Sequence, residues 1–515
     1  MLQIIFFVFS IIILVLVSFY YINSLWLSPQ KREKCLRDQG FRGNPYRPIF
    51  GDLPEISNMA KSALLKPISS LSHDIIPHIM PFFHQTVQQY GKDSFMWFGR
   101  KPRVNITNPE LIREILNKYD VYMKKAPGKK TTFGLAMRDG QDWAKVRRII
   151  NPAFHLEKLK NMVPTMEICC DIMIQKWEEM VALTGSAEVD VYSSLSSCTG
   201  DVIARTAFGS SYEEGKRLFE LQNEALGLAF QGMRSMSHYI PGSRYFPTKI
   251  NLRKKKLKRE IEEIVKSLVD NKLKLKQTGD TKHQNNLLSI MLESNEKEIE
   301  ENGVGLPMEE LVDECKLFFV AGQDTTSSLL TWTLILLCQN QDWQTKAREE
   351  VFLHFGKDYS NTPHDYEGLN RLKIMSMIIN ETLRLYPSIT SLSRLIHQNT
   401  ELKQLTLLPN MEVHLPTILV HRDQELWGND ANEFNPNRFS EGVLKASKIP
   451  GSFMPFGGGP RICIGQNFAL IEAKLALTKI LQHFSFELSP SYVHAPLLLA
   501  GMVPQFGAPL ILHKI

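Results

Sequence analysis

The sequence predicts a mainly α-helical fold with a small β part, preceded by a single N-terminal transmembrane helix. Three observations predict it: an uncharged apolar run at the start, helical patterns through most of the body, and a few short β-like runs bounded by turn residues. The 515 residues are 43% hydrophobic and 22% charged, which supplies a large core. Lys and Arg number 60 against 54 Asp and Glu, a formal net charge of +6. That excess is mild and no RNA or DNA motif accompanies it, so nucleic acid is not an expected partner. Seven cysteines lie far apart, apart from the adjacent Cys169 and Cys170, and none has zinc-ligand spacing. This points to free thiols in a reducing compartment.

The run MLQIIFFVFSIIILVLVSFYYINSLWL carries no charged side chain, and none follows until Lys31. A bilayer-spanning helix needs roughly 20 apolar residues, which Leu2 to about Leu27 provide. A cleaved signal peptide wants a basic start, a shorter apolar stretch and a small-residue cleavage site. Those marks are missing, so the reading is an uncleaved anchor over residues 1–28. Lys31, Arg32, Lys34, Arg37, Arg42 and Arg47 follow, and such residues stay on the cytosolic side. GFRGNPYRPIFGDLPE (Gly40 to Glu55) is poor helix material, so residues 29–51 read as a basic linker and a Pro/Gly hinge. Residues 52–515 form one body.

Within the body, helical patterns cover Asp142 to Ile150, Leu156 to Val181, Tyr212 to Gln231 and Leu252 to Lys276, the last a charged amphipathic helix. QTGDTKHQNN (Gln277 to Asn286) reads as a polar loop. A long helix starts at Pro307, which suits a first turn, with Glu309 and Glu310 at its positive end. It runs to about Cys338 and is apolar nearly all round, so it is central and buried. Lys316 and Asp324 interrupt it and argue against a second membrane span. Short β-like runs occur at Arg103 to Ile106, Leu402 to Leu408, Glu412 to Leu415 and Leu510 to Leu512.

The chemistry concentrates in FMPFGGGPRICIG (Phe453 to Gly465). Glycine-rich backbone there can take unusual conformations and approach a flat ligand. A helix starting near Gly465 aims its positive end at the Cys463 sulfur, and Arg461 adds positive charge; both favour thiolate, the metal-binding form. The arrangement suits a single cysteine as axial ligand to haem iron, with a propionate near Arg461. The plainer alternative is a buried structural cysteine. The pattern Phe456-x-x-Gly459-x-Arg461-x-Cys463-x-Gly465 is too specific for that. In the central helix, AGQDTT (Ala321 to Thr326) places a carboxylate where burial is costly unless it is paired or functional. Asp324 and Thr325 offer an acid and a hydroxyl able to relay protons through water. Gly322 would let a ligand come close. The alternative is a helix kink, with Thr325 bonded back to a carbonyl one turn earlier.

At these residues the chain resembles the cytochrome P-450 superfamily of haem-thiolate monooxygenases, of the plant microsomal type, over about Asp52 to Ile515. The resemblance implies the cytochrome P-450 fold, a haem-binding catalytic domain over 52–515, and haem b (iron protoporphyrin IX) with Cys463 as thiolate ligand and Phe456 beside it. It implies that Thr325 faces bound dioxygen and Asp324 supplies protons. ETLRLYP (Glu381 to Pro387) is similar to the ExxR motif, and FNPNRF (Phe434 to Phe439) to its partner. Glu381, Arg384 and Arg438 would then form a buried network that holds the scaffold. Asn437 stands where a carboxylate is usual. WAKVR (Trp143 to Arg147) is similar to WxxxR, whose indole and guanidinium share one helix face and reach one propionate. Arg394 resembles the arginine of the other propionate.

The family reading is an oxygen-dependent monooxygenase in the endoplasmic reticulum membrane, single-pass, with its catalytic domain in the cytosol. No flavin or nicotinamide motif is present. NADPH therefore acts only indirectly, through a flavoprotein NADPH-cytochrome reductase, for which Lys145, Arg148 and Lys474 are candidate docking cations. GFRGNPYRPIFGDLPE, DWQTKAREEV (Asp342 to Val351) and the C-terminal SYVHAPLLLAGMVPQFGAPLILHKI resemble the plant branch that contains secologanin synthase. That branch implies a terpenoid substrate; Phe230, Ile389, Ser391, Leu392, Met502 and Val503 are candidate contacts in an apolar pocket. Two other classes stay open: a haem-thiolate isomerase or dehydratase that uses no dioxygen, and a non-catalytic membrane-bound carrier of the same fold.

Overall fold

The uncharged run forms the helix Leu2–Ile22, passes through a π-turn at Asn23–Leu27 and continues as the helix Ser28–Asp38. Pro29 lacks the N–H that an uninterrupted α-helix would use, and the π-turn lies directly before it. The computed structural model describes residues 2–68, 71–124, 134–182, 184–209, 212–233, 242–277, 286–357, 364–499 and 501–515. The N-terminal helix is exposed on all sides and is long and apolar enough to cross a membrane. The basic segment after it is helical to Asp38, not a loose linker. It docks on the body through the buried Leu36 and through Arg32, whose Nε donates to the Pro409 carbonyl at 2.7 Å. The Gly/Pro stretch is docked as well: Arg42–Gly43 pairs in parallel with Ser94–Phe95, and Leu53–Leu64 is a helix.

The chain belongs to the mainly α class, with small sheets. The long helix spans Met308–Gln339, 32 residues, or about 48 Å at 1.5 Å per residue. Pro307 is its N-cap, and Glu309 and Glu310 lie in its first turn. Helices Val191–Ile203, Lys373–Leu385 and Gln466–His483 pack around it. Helices Gly140–Ile150, Tyr212–Met233 and Lys249–Gln277 lie where the patterns placed them. The pattern over Leu156 to Val181 is two helices, Leu156–Lys160 and Val163–Val181; Pro164 fits a first turn but not a helix interior. The expected loop over Gln277 to Asn286 lies, between its end residues, outside the described residues. Asn286 itself caps Leu287–Asn302 by accepting from the Ser289 N–H at 2.9 Å.

Five strands form the main sheet, in the order Arg42–Gly43, Ser94–Phe98, Lys101–Asn105, Glu412–Leu415, Leu392–Leu395. The first and third pairings are parallel, the second and fourth antiparallel. Ser94–Phe98 gave no alternating pattern because its first four residues are all buried. The run Leu402 to Leu408 is a hairpin of Thr400–Leu402 and Leu405–Leu407, turned at Lys403 with φ +51°. Pro509–Lys514 is the centre of a three-stranded antiparallel sheet between Ser186–Asp190 and Phe484–Leu488. Two apolar clusters result, one among the helices and one around the main sheet. The Cys463 loop joins them: Met454 packs in the second, and Ile464 and Phe468 pack in the first.

Gly322 has a different reason than ligand approach. A Cβ there would lie 2.8 Å from Ile203 Cγ1 and 3.2 Å from its Cβ, so glycine lets the two helices touch. Gly322→Ala is expected to lower the thermal midpoint, because overpacking of about 1–3 kcal/mol exceeds the helix-propensity gain of about 1 kcal/mol. In an Ile203→Ala background the same change should raise the midpoint. A double-mutant cycle by thermal unfolding checks the reversal of sign.

Candidate active site

Cys463 stands between the short 3₁₀ turn Gly459–Arg461 and the helix Gln466–His483, whose N-cap is Gly465. Gly457 and Gly459 take φ of +75° and +64°, values that suit glycine. At Gly459 a Cβ would also lie 2.5 Å from the Leu116 carbonyl oxygen. The loop is thus laid against the helix Pro109–Asn117, and that contact, not a flat ligand, accounts for this glycine. The Cys463 N–H closes the loop by donating to the Phe456 carbonyl at 2.9 Å. Of the seven cysteines only Cys463 is exposed, so its sulfur is open to a ligand.

Burial nevertheless pushes the Cys463 thiol up, while the Gly465 N–H, Arg147 and Lys124 pull it down. Arg461 gives no such help. Its Nη1 donates to Asp139 at 2.7 Å, its Nη2 to the Arg138 carbonyl, and its guanidinium lies 5.0 Å over the Trp143 ring. The protein by itself therefore favours the thiol, and a coordinated cation is what would remove the proton.

Around this loop lies a cluster of cations. Arg147 Nη1 donates to the Ile462 carbonyl at 2.9 Å, one residue before Cys463. Trp143 is buried on the same helix, with its ring 4.6 Å from Tyr119. Arg394 is buried on the strand Leu392–Leu395; its Nη1 donates to the Ser393 carbonyl, and its Nε has no partner. Burial, and then repulsion by Arg461, bring it down to about 10. Lys124 donates from Nζ to the Ala136 carbonyl at 2.7 Å and comes down to about 7, through burial and then the charges of Arg461 and Arg394. Asp139 is the carboxylate this group shares; it takes Arg461 and the Lys124 backbone N–H. Among the described residues the cluster is net positive, and one buried arginine nitrogen in it lacks an acceptor. That is the chemistry of a site for anionic groups beside an open cysteine, and it fits a haem whose two carboxylates meet the arginines and whose iron meets sulfur.

The central helix presents its polar residues in three directions. Ala321 is exposed and Thr325 half-buried, one turn apart on one face. Thr325 Oγ1 donates to the Ala321 carbonyl at 2.7 Å. The back-bonded arrangement is therefore present, and no side-chain hydrogen bond joins Asp324 to Thr325 among the described residues. Among the described residues Asp324 has no ion-pair partner, and burial pushes its carboxyl up to about 6. The third direction is filled by Gln323, which donates from Nε2 to the Ser196 carbonyl at 3.2 Å.

Glu381 and Arg384, both fully buried, form a bidentate pair with two hydrogen bonds of 2.7 Å. Arg438 adds a longer contact to Glu381, at 3.4 Å, and also pairs with Asp430. Asp430, not residue 437, supplies the carboxylate for Arg438. The candidate docking cations each have an internal partner: Lys145 the Gly305 carbonyl, Arg148 Glu298, and Lys474 the Leu369 carbonyl. Of the candidate pocket residues, Ile389 is 39% exposed, Ser391 and Leu392 are half-buried, and Met502 and Val503 are buried. The Met502 carbonyl accepts from Trp332 Nε1 at 2.6 Å, which fixes that strand on the central helix. The side chain of Phe230 lies outside the described residues.

Lys124, Asp139 and Glu314 were missed in the sequence. Glu314 is fully buried on the central helix, where it accepts from the Leu135 N–H at 2.6 Å and Arg138 Nε at 3.0 Å. Burial still pushes it up to about 7. The signal that marked Asp324, an acid inside an apolar helix, would have marked it too. Through Arg138 it holds the segment that carries Asp139.

A sequence model of the family described as Cytochrome P450 matches residues 71–502. A Panax ginseng protein described as "Cytochrome P450 CYP72A219" is 49% identical over 512 residues, 98% of each chain. The "7-deoxyloganic acid hydroxylase" of Catharanthus roseus is 48% identical over 522 residues, 98% of this chain and 99% of that one. "Cytochrome P450 72A13" of Arabidopsis thaliana is 50% identical over 498 residues, 96% of this chain and 95% of that one.

The raised Asp324 carboxyl carries a pH dependence of stability. Its pKa in the folded chain, about 6, lies above the ordinary aspartate value of 3.8. The folded state then holds the proton more tightly than the unfolded state, and stability falls as pH rises from about 4 through about 6. Asp324→Asn should flatten that slope. Thermal midpoints across this range, for both proteins, check it.

Proposed function

The chain belongs to the cytochrome P450 family and is a monooxygenase of it, and from that premise we propose that it hydroxylates or further oxidises a terpenoid. In this reading it is held in the endoplasmic reticulum membrane by its N-terminal helix, with its body in the cytosol. Electrons come from an NADPH-dependent flavoprotein reductase. The observation that carries the cofactor assignment is the open Cys463 beside a buried, net positive cluster with an unpartnered arginine nitrogen. The substrate class is supported by a relative whose name makes 7-deoxyloganic acid its substrate, and by the accessible apolar side chain of Ile389 among the candidate contacts.

A haem bound with a cysteine ligand would supply activation of dioxygen and insertion of one of its oxygen atoms into a C–H bond, the other leaving as water with the two electrons from the reductase and two protons. The rest is the work of this chain. Cys463 would hold the iron; Arg147, Arg394, Arg461, Lys124 and the Trp143 indole would hold the carboxylates. Thr325 Oγ1, with its proton directed to the Ala321 carbonyl, offers its lone pairs to the open face of the helix. Asp324, with a pKa of about 6, can both give and regain a proton near neutral pH.

The test is a spectral titration of the full chain in membranes with terpenoid, steroid and fatty-acid panels. A low-to-high-spin shift with terpenoids is expected; a shift only with steroids or fatty acids overturns the substrate class. Product should require NADPH, reductase and dioxygen together; product without them would instead mark an isomerase or dehydratase. Thr325→Ala should lower the product formed per NADPH consumed, with the excess NADPH oxidised without product; an unchanged ratio would count against the assigned role. Cys463→Ala should lose the thiolate-type spectrum of the reduced carbon monoxide complex.

A further inference from the structure

His421 follows the short turn Thr417–Val420 and is fully buried. Its backbone and side chain face two different parts of the molecule. The carbonyl accepts from Arg384 Nη1 at 2.8 Å, so the residue is tied to the buried Glu381–Arg384 pair. The ring accepts the Met454 backbone N–H at Nε2, at 3.0 Å. Met454 opens the cysteine loop. Its carbonyl takes the Gly457 N–H at 3.0 Å, and the Phe456 carbonyl takes the Cys463 N–H at 2.9 Å. A continuous line of hydrogen bonds and short chain steps thus leads from Arg384 to the sulfur-bearing residue.

The ring's protonation state follows from its partners. A backbone N–H can only donate, so Nε2 must present a lone pair and the ring proton must sit on Nδ1. That Nδ1 is buried and has no partner, which costs about 1–3 kcal/mol in an ordinary core. Burial, with Arg384 and Arg422 close by, brings the ring down to about 3, so it stays a neutral acceptor. The ring is held in place by Phe453, 5.5 Å away, and Trp427, 6.5 Å away. An apolar side chain would fill this space without an orphaned N–H. The one interaction that such a side chain could not make is the bond to Met454.

We propose that His421 is a positioning residue for the cysteine ligand: its Nε2 lone pair fixes the Met454 backbone and through it the placement of Cys463. The proposal rests on the reading of Cys463 as the haem ligand. Three variants of the full membrane-bound chain test it, with haem content and the fraction of thiolate-type carbon monoxide spectrum as readouts. In His421→Gln the amide oxygen reaches the Nε2 position. His421→Asn is polar but too short, and His421→Phe keeps a ring and no acceptor. His421→Gln should keep most of the thiolate-type fraction. His421→Asn and His421→Phe should bind haem and lose most of that fraction; if His421→Phe does not accumulate, His421→Asn decides. A wild-type fraction in His421→Asn overturns the proposal, as does equal loss in all three variants, which would mean packing alone. Absence of the thiolate-type spectrum from the unmodified chain would instead sink the Cys463 reading itself.

Discussion

The pair Glu381–Arg384 is the constraint from which the site is measured. Both side chains are fully buried, and removing two charges from water costs several kcal/mol per ion. Such a pair is tolerable only if nothing in it is left unsatisfied. A guanidinium has five N–H donors, and all are used here. Nε and one Nη2 hydrogen go to Glu381, the other Nη2 hydrogen to the Glu433 carbonyl, and Nη1 to the carbonyls of His421 and Ala431. Glu381 also takes the Asn435 N–H at 2.8 Å. Each of these carbonyls belongs to irregular chain that has no ladder to satisfy it. The ion pair thus does for residues 421–438 what a sheet does for a strand. It sets where that segment lies, and the cysteine loop is attached to that segment.

The active region follows the opposite rule, because its polar groups are left short of partners. Among the described residues Arg394 Nε has no acceptor and Asp324 has no ion-pair partner, while Lys124 is held among like charges. These groups sit on three different supports: the main sheet, the segment after the helix Pro109–Asn117 that carries Lys124, and the central helix. An anionic ligand group would supply the acceptor that Arg394 Nε lacks, and the carboxylates of the haem proposed for this site have that chemistry. Two carboxylic acids of the central helix, Glu314 and Asp324, have been raised by burial, to about 7 and about 6. They differ in partners: Glu314 is bound to Arg138 and Leu135 and holds a segment in place, whereas Asp324 is available.

The sequence made legible what chemistry forces into fixed spacing. Cys463 with its glycines, Glu381 with Arg384, and Trp143 with Arg147 depend on neighbours a few residues away, so their meaning is local. The roles of Lys124, Asp139 and His421 depend on partners across the chain, such as Arg461 for Asp139 and Met454 for His421. No periodicity encodes such a meeting. Glycines misled for the same reason. Gly322 and Gly459 stand inside motifs and invite a ligand explanation, but their absent side chains make room for Ile203 and for the Leu116 carbonyl. Arg461 was identified as a cation of the site, but its ion pair with Asp139 could not be read from either residue's surroundings. The helical patterns that were read lie in helices, one of them divided by a proline, whereas Leu53–Leu64, Pro109–Asn117, Val191–Ile203 and Leu287–Asn302 were not read as helices, and the strand Ser94–Phe98 was hidden by burial on both faces.

Unpartnered buried groups also bear on how the fold holds together. An orphaned donor such as Arg394 Nε costs about 1–3 kcal/mol, and a domain's whole stability is about 5–15 kcal/mol. Few such defects can be carried unless something relieves them. For His421 Nδ1 no relief is available, and the cost is set against the loop geometry its other nitrogen maintains. For Arg394 an anionic ligand group would supply the missing acceptor and offset the repulsion from Arg461 and Lys124. Any ligand that binds the folded chain but not the unfolded one adds its binding free energy to stability. Folding and cofactor capture are then coupled through the same arginine. The Arg384 guanidinium has all its donors satisfied within the chain, whereas Arg394 Nε has no acceptor among the described residues, so the cation cluster is where a bound anion adds most.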